Sequence, residues 1–260
     1  MATNRATFLT FLFGSYEKMH EVAVKTPNCD YVLVTDNKDL KSDTWNVKYV
    51  DNPHPEDNFY MCWDVRYNPF KYVDTDIVIR IDGSMECSGD FTKVLDYFEE
   101  GGYDTAVCMH PSRNNIYEER LAWVQQRGYP VDNANRVLNF IQGYEGYDVK
   151  APNGLIQLNF AIQRNNKIID ASNQFTRALL TYLAPADKLT ERLDQDIYTF
   201  VLNKYFRDMK VLPLSQDIAI SGVYFNWYSH NSDIKMHKGD YIYCTPHLFG
   251  EPISTIYLGE

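Results

Sequence analysis

Acids and bases fall where chemistry is possible in several stretches of this chain. The apolar run Ile77, Val78, Ile79, Arg80, Ile81 ends in Asp82, Gly83, Ser84. A buried strand with a carboxylate at its C-terminal tip is how open α/β sheets present an acid to a ligand. Asp36 ends an earlier apolar run, Tyr31 to Thr35, so both acids are expected along one sheet edge. One can accept from a base N–H while the other holds a divalent ion beside phosphate. Ser84 puts a hydroxyl where a second acid would bind such an ion more strongly. A literal Asp-x-Asp at Asp74, Thr75, Asp76 precedes the strand. It belongs at the opposite edge and reads as a solvated turn.

The strand expected over Thr105 to Met109 delivers His110, Pro111, Ser112 and Arg113, which suit phosphate or sugar contacts. Glu118 and Glu119 follow in the first turn of a helix, where the dipole favours anions. Further on, Arg192, Leu193, Asp194, Gln195, Asp196 open another helix. Asp194 serves either as its N-cap or, with Gln195, as a partner for sugar hydroxyls. Asp194 and Glu118 are also the carboxylates able to deprotonate an acceptor hydroxyl. Late in the chain stand His230, His237 and His247, any one of which can give a neutral nitrogen to a Mn²⁺-type ion. No GxGxxG, GxxxxGK[ST] or GxSxG occurs, which argues against dinucleotide dehydrogenases, P-loop enzymes and α/β-hydrolases.

The elements that must carry these residues alternate in type. Apolar β-formers at Thr7 to Phe13, Tyr31 to Thr35 and Val47 to Val50 predict strands, with a helix over Tyr16 to Lys25 after the first. Asn58 to Tyr72 predicts a helix broken at Pro69. Phe91 to Glu99, Ile116 to Arg127, Asn133 to Ile141, Ile168 to Leu183 and Asp194 to Tyr205 have helical spacing. Ile156 to Ile162 and Lys210 to Leu214 predict further strands. The pattern is a parallel sheet with helices on its faces, followed by a loop-and-strand tail able to fold over a site.

With 260 residues, one large α/β domain is expected, with residues 1–150 as a nucleotide-binding half and 151–260 as an acceptor-facing half and tail. A net charge of −10 argues against general affinity for nucleic-acid backbones or anionic membranes. Five dispersed cysteines without a CxxC suggest reduced thiols rather than a disulfide framework or zinc site. Neither a secretion signal nor an apolar stretch near the ~20 residues of a membrane helix is evident, so a cytoplasmic protein is expected. The 20 Tyr and 14 Phe suit either an aromatic core or sugar-facing surfaces.

In order along the chain stand Arg66 to Lys71, Ile79-Arg80-Ile81-Asp82-Gly83-Ser84, His110-Pro111-Ser112-Arg113 with Tyr117-Glu118-Glu119, Arg164-Asn165-Asn166, and Leu193-Asp194-Gln195. Together they resemble a glycosyltransferase-like family, once a domain of unknown function, with plant mucilage and cell-wall members and a distant similarity to glycosyltransferase family 8. The resemblance spans roughly residues 60–206. It implies a GT-A-like fold and hexosyl transfer, with retention of configuration, from a nucleotide sugar, UDP-linked, to a glycan or glycolipid acceptor, assisted by Mn²⁺ or Mg²⁺. The donor-binding candidates are Phe13, Gly14 and Asp36, ahead of that stretch, and within it Arg66, Lys71, Asp82, Gly83, Ser84, His110 and Arg113. Asp82, Ser84 and His237 would hold the metal, and Asp194, Gln195 and Glu118 would do the chemistry. The family's Arg before Asp-Gln is Leu193 here, and Ser84 replaces an acid. Nucleotidyl transfer to sugar phosphates and non-catalytic glycan binding are the rival readings.

Overall fold

Runs of β-branched and aromatic residues buried on both sides build the centre of the molecule. The computed structural model describes residues 4–55, 57–184, 193–215, 218, 222–229 and 232–235. In these, the strands are β1 (Ala6–Leu12), β2 (Cys29–Thr35), β3 (Asn46–Tyr49), β4 (Ile77–Ile81), β5 (Met85–Cys87), β6 (Thr105–Met109), β7 (Ile156–Arg164), β8 (Val211–Leu214) and β9 (Phe225–Trp227). Among the described residues, seven of them form one sheet in the order β3-β2-β1-β4-β7-β6-β8, and β5 pairs with β9 in a separate two-stranded sheet. The large sheet is parallel except for β7, which runs antiparallel to both β4 and β6.

Alternation along the strands divides the core. Phe8, Ile77, Ile79, Ile81 and Phe160 face one side, where α2 (Thr92–Glu100) packs with Val94, Leu95 and Phe98. On the other side lie α1 (Asn58–Tyr67), α5 (Lys167–Leu183) and α6 (Asp194–Tyr205). There Trp63, Tyr67, Ile169, Leu180, Ile197 and Phe200 join one apolar cluster. Helices α3 (Ile116–Arg127) and α4 (Val131–Asn139) extend that layer, and α4 runs on into a π-helical turn, Phe140–Tyr144.

One expectation is corrected here. Tyr16 to Lys25 is not helical: Gly14 and Ser15 both take left-handed backbone angles, and the segment beyond them finds its partners elsewhere. Val22 N–H donates to Thr44 Oγ1, Ala23 and Val24 donate to the Cys87 carbonyl, and the His20 carbonyl accepts from the Trp45 indole. Helical spacing loses here to hydrogen bonds with distant segments. The strand expected over Ile156 to Ile162 is present as β7, and the structure adds its direction, antiparallel to both neighbours. Its reversal turns its N-terminal residues toward the edge where β4 and β6 end.

Candidate functional site

In the sheet order, β1 leads leftward to β2 and β3, while β4 lies on its other side. Where strand order reverses in this way, the chain ends leave a crevice outside the carboxyl tips. A cleft of about 550 Å³ opens there. Phe11 and Phe13 come to it from the end of β1, Asp82 and Gly83 from the end of β4, His110 and Arg113 from beyond β6, and Asp194 and Gln195 from the start of α6.

The centre of the cleft is an arginine between two acids. Arg66 Nη2 donates to Asp82 Oδ1 at 2.9 Å, and Arg66 Nη1 donates to Asp194 Oδ2. Phe59, Cys62 and Arg66 all line the cleft, because their spacing places them on one face of α1. The Asp57 side chain caps that helix by accepting from Phe59 N–H at 3.0 Å. Burial pulls the Arg66 guanidinium down, but Asp194 and then Asp82 outweigh it, so its pKa stands raised. Leu193, not Asp194, occupies the N-cap position of α6. The Asp194 carboxylate is therefore turned to Arg66 rather than to its own helix.

A second group is built around His110. Its Nδ1 accepts from the backbone N–H groups of Ser112 (3.2 Å) and Arg113 (3.1 Å), so the neutral ring carries its proton on Nε2. Burial, then the Arg113 charge, lowers its pKa to about 3. The Nε2 proton faces Arg113 Nη1 at 3.3 Å, two donors turned toward one another, an arrangement that suits an anionic oxygen lying against both. Arg113 is anchored by Glu119, and Glu119 also accepts from the Trp123 indole at 2.7 Å.

Several sequence-predicted residues stand elsewhere. Lys71 is carried away when Pro69 breaks α1 into a 3-10 turn, Pro69–Lys71. It donates to Asp64 Oδ2 at 2.9 Å and lines a hollow with Asn165 and Arg177. Asn165 N–H donates to the Asp76 carbonyl, so that hollow lies at the edge where β4 begins. Glu118 is tied into the start of α3: Asn115 Oδ1 accepts from Glu118 N–H at 2.8 Å, and the Glu118 carboxylate accepts from the Asn115 side-chain Nδ2 at 3.1 Å and from Asn114 N–H at 2.6 Å. Glu119 faces the cleft instead. Asp36 and Gly14 are not among the residues lining the cleft, and Asp36 Oδ1 accepts from Gly14 N–H at 3.1 Å. A Cβ on Gly14 would sit 2.1 Å from Asn58 Nδ2.

The metal set does not assemble among the described residues. Ser84 is buried, its Oγ accepts from the Trp227 indole at 3.1 Å, and its carbonyl accepts from Tyr228 N–H. His237 and the other late histidines lie outside the described residues. Asp82 already faces a guanidinium, and among the described residues no three His, Cys, Asp or Glu group together as a metal cage. Asp82, Ser84 and their neighbours therefore do not fit a divalent ion as arranged.

Four residues escaped the sequence reading. Asn159, on β7, is 3% exposed and lines the cleft, and neither its Oδ1 nor its Nδ2 has a hydrogen-bond partner among the described residues. A buried amide without partners costs about 1–3 kcal/mol, so its persistence at a cleft wall points to a ligand. Arg80 is 1% exposed, two residues before Asp82 on the same side of β4. Its Nη1 donates to the Leu158 carbonyl at 2.8 Å while Nε has no partner among the described residues, and burial, then Arg66, lowers its pKa to about 10. The available signal was the same for both: a strongly polar residue inside an apolar strand. Trp227 and Tyr228, from the end of β9, cover one side, as the tail was expected to do. Tyr228 stacks on His20 with centroids 4.1 Å apart.

No protein-family model matches the chain, and no curated protein matches it either. Among the described residues no helix is long and apolar enough to cross a membrane.

Proposed function

We propose that the chain is a glycosyltransferase of GT-A type that moves a sugar from a nucleotide-sugar donor, UDP-linked by the sequence resemblance, to a hydroxyl of a glycan or glycolipid. The observation that carries this reading is the convergence of Asp82, Asp194, His110 and Arg113 on one cleft at the strand-order reversal. The half of the sheet from β1 to β4 supplies the wall for the nucleotide. Asp194 and Gln195 come from the second half and face the transferred sugar, with Asn159 beside them supplying a donor and an acceptor for its hydroxyls.

In the transfer, the acceptor oxygen bonds to the sugar's C1 as the bond from C1 to the β-phosphate oxygen breaks. The electron pair of that bond stays on the departing diphosphate. For retention of configuration, the acceptor proton passes to that same departing oxygen. Charge builds on the phosphate, and the Arg113 guanidinium and His110 Nε2–H are placed to donate to it. Preorganised donors aimed at developing charge are the largest contribution in many enzymes. Asp194 and Gln195 orient the sugar so that its C1 faces the acceptor.

A panel of nucleotide sugars, scored for release of nucleoside diphosphate in the absence of acceptor, tests the reading. Slow hydrolysis of one UDP-sugar, lost in Asp194→Asn, is expected. No release from any donor at high enzyme concentration would contradict it.

A further inference from the structure

We propose that the Arg66 guanidinium takes the place of a divalent cation, so that the cleft binds a nucleoside diphosphate without metal. The inference rests on the nucleotide-sugar reading and replaces the Mn²⁺ or Mg²⁺ that the sequence resemblance implies.

Three observations carry it. Ser84, one of the expected oxygen ligands, is 2% exposed and already accepts from the Trp227 indole at 3.1 Å. A divalent ion needs oxygens at about 2.0–2.6 Å, and the space between Asp82 and Asp194 is filled by Arg66, which donates to both. Displacing it is costly, because the guanidinium lies against the Phe11 ring, its carbon 5.6 Å from the ring centroid, with its side chain only 12% exposed. Unlike a metal, it is covalently held, and like one it stays charged.

Beyond Arg66, a second guanidinium, Arg113, lines the cleft, while Arg80 is not among its lining residues. Arg80 sits buried beneath Asp82, and its one hydrogen bond among the described residues goes to a neutral carbonyl. Arg113 stands on the far side with a carboxylate partner, beside a His110 proton that faces another donor. A diphosphate entering here meets the two guanidinium groups that line the cleft, Arg66 and Arg113, whose forked donors match phosphate oxygens better than a point charge does.

Calorimetry of UDP binding to the whole chain separates the possibilities. Equal affinity in EDTA and in Mn²⁺ is expected, with Arg66→Ala weakening UDP by about tenfold or more in EDTA, the worth of a charge-assisted contact. Arg66→Lys, which keeps the charge but loses the fork, should fall between. Paramagnetic resonance of the native protein should find no stoichiometric Mn²⁺. Binding of UDP only with Mn²⁺, a stoichiometric bound Mn²⁺, or unchanged affinity in folded Arg66→Ala would overturn the inference and leave the transferase reading standing. Absence of UDP binding under both conditions would remove both. If Arg66→Ala does not fold, the EDTA comparison on the native protein decides alone.

Discussion

Asp82 and Asp194, one following a central strand and the other opening α6, are held side by side by two nitrogens of a single arginine. Arg66 thereby ties the end of β4 to the start of α6 within the cleft. The arrangement also makes the two acids depend on Arg66 for their stability.

Removing that arginine leaves two partly buried carboxylates facing each other. Arg66→Met is expected to destabilise the fold by about 3 kcal/mol, the low end of the cost of breaking a buried ion pair, because Asp82 keeps 29% exposure. Urea unfolding measures this directly. Adding Asp82→Asn and Asp194→Asn to Arg66→Met should recover most of the loss, and a triple variant as unstable as the single one would contradict the account.

His110 makes stability depend on pH. Its folded pKa of about 3 lies below the ~6.5 of a free imidazole. Between those values the unfolded chain takes up a proton that the folded chain does not. This contribution is full above about pH 6.5 and is lost as pH falls toward 3, at about 1.4 kcal/mol per pH unit. The substitution His110→Asn offers an amide oxygen to the same two backbone N–H groups and removes the titrating ring. It should flatten the difference in unfolding free energy between pH 7 and 5. A parallel pH dependence in the two proteins would show that the ring is protonated in the fold.

Asn159 should trade stability for activity. Its two amide atoms, unpartnered among the described residues, make Asn159→Ala roughly neutral or stabilising by about 1 kcal/mol, since the desolvation penalty disappears with them. The same change is expected to lower kcat/KM for the donor about tenfold or more. A fall in melting temperature of several degrees, with turnover intact, would assign Asn159 to packing instead.

Restoring a second acid should not restore a metal site. Ser84→Asp places a carboxylate against the Trp227 indole at a position only 2% exposed. Burying an unpaired charge is expected to cost several kcal/mol, on the order of the largest single-substitution effects. Thermal unfolding with and without Mn²⁺ checks this: a variant made more stable by Mn²⁺ would show that the position can reach the cleft after all.

Much of the frame was readable before the structure. Ile77–Ile81, Thr105–Met109, Ile116–Arg127 and Asp194–Tyr205 stand where period and propensity put them, because each is buried on the faces its pattern dictates. The carboxylate at the end of β4 and the His110 and Arg113 turn were legible for the same reason: strand tips are fixed by the strands. What failed was set by distant partners. Tyr16–Lys25 has helical spacing but bonds to Thr44, Trp45 and Cys87. Direction in a sheet is not written in a single strand, so the reversal of β7, and with it the arrival of Asn159 at the cleft, stayed hidden. Lys71 was lost to the break at Pro69, and Glu118 to its cap.

Hydrogen exchange read peptide by peptide, with and without saturating UDP, addresses the location of donor binding most directly. Slowed exchange is predicted at the tip of β4 from residue 82, across residues 110–119, and in the first turn of α6, with α5 unchanged from residue 167 to 177. Protection confined to the opposite hollow near Asn165 and Arg177, or none anywhere, would contradict the account.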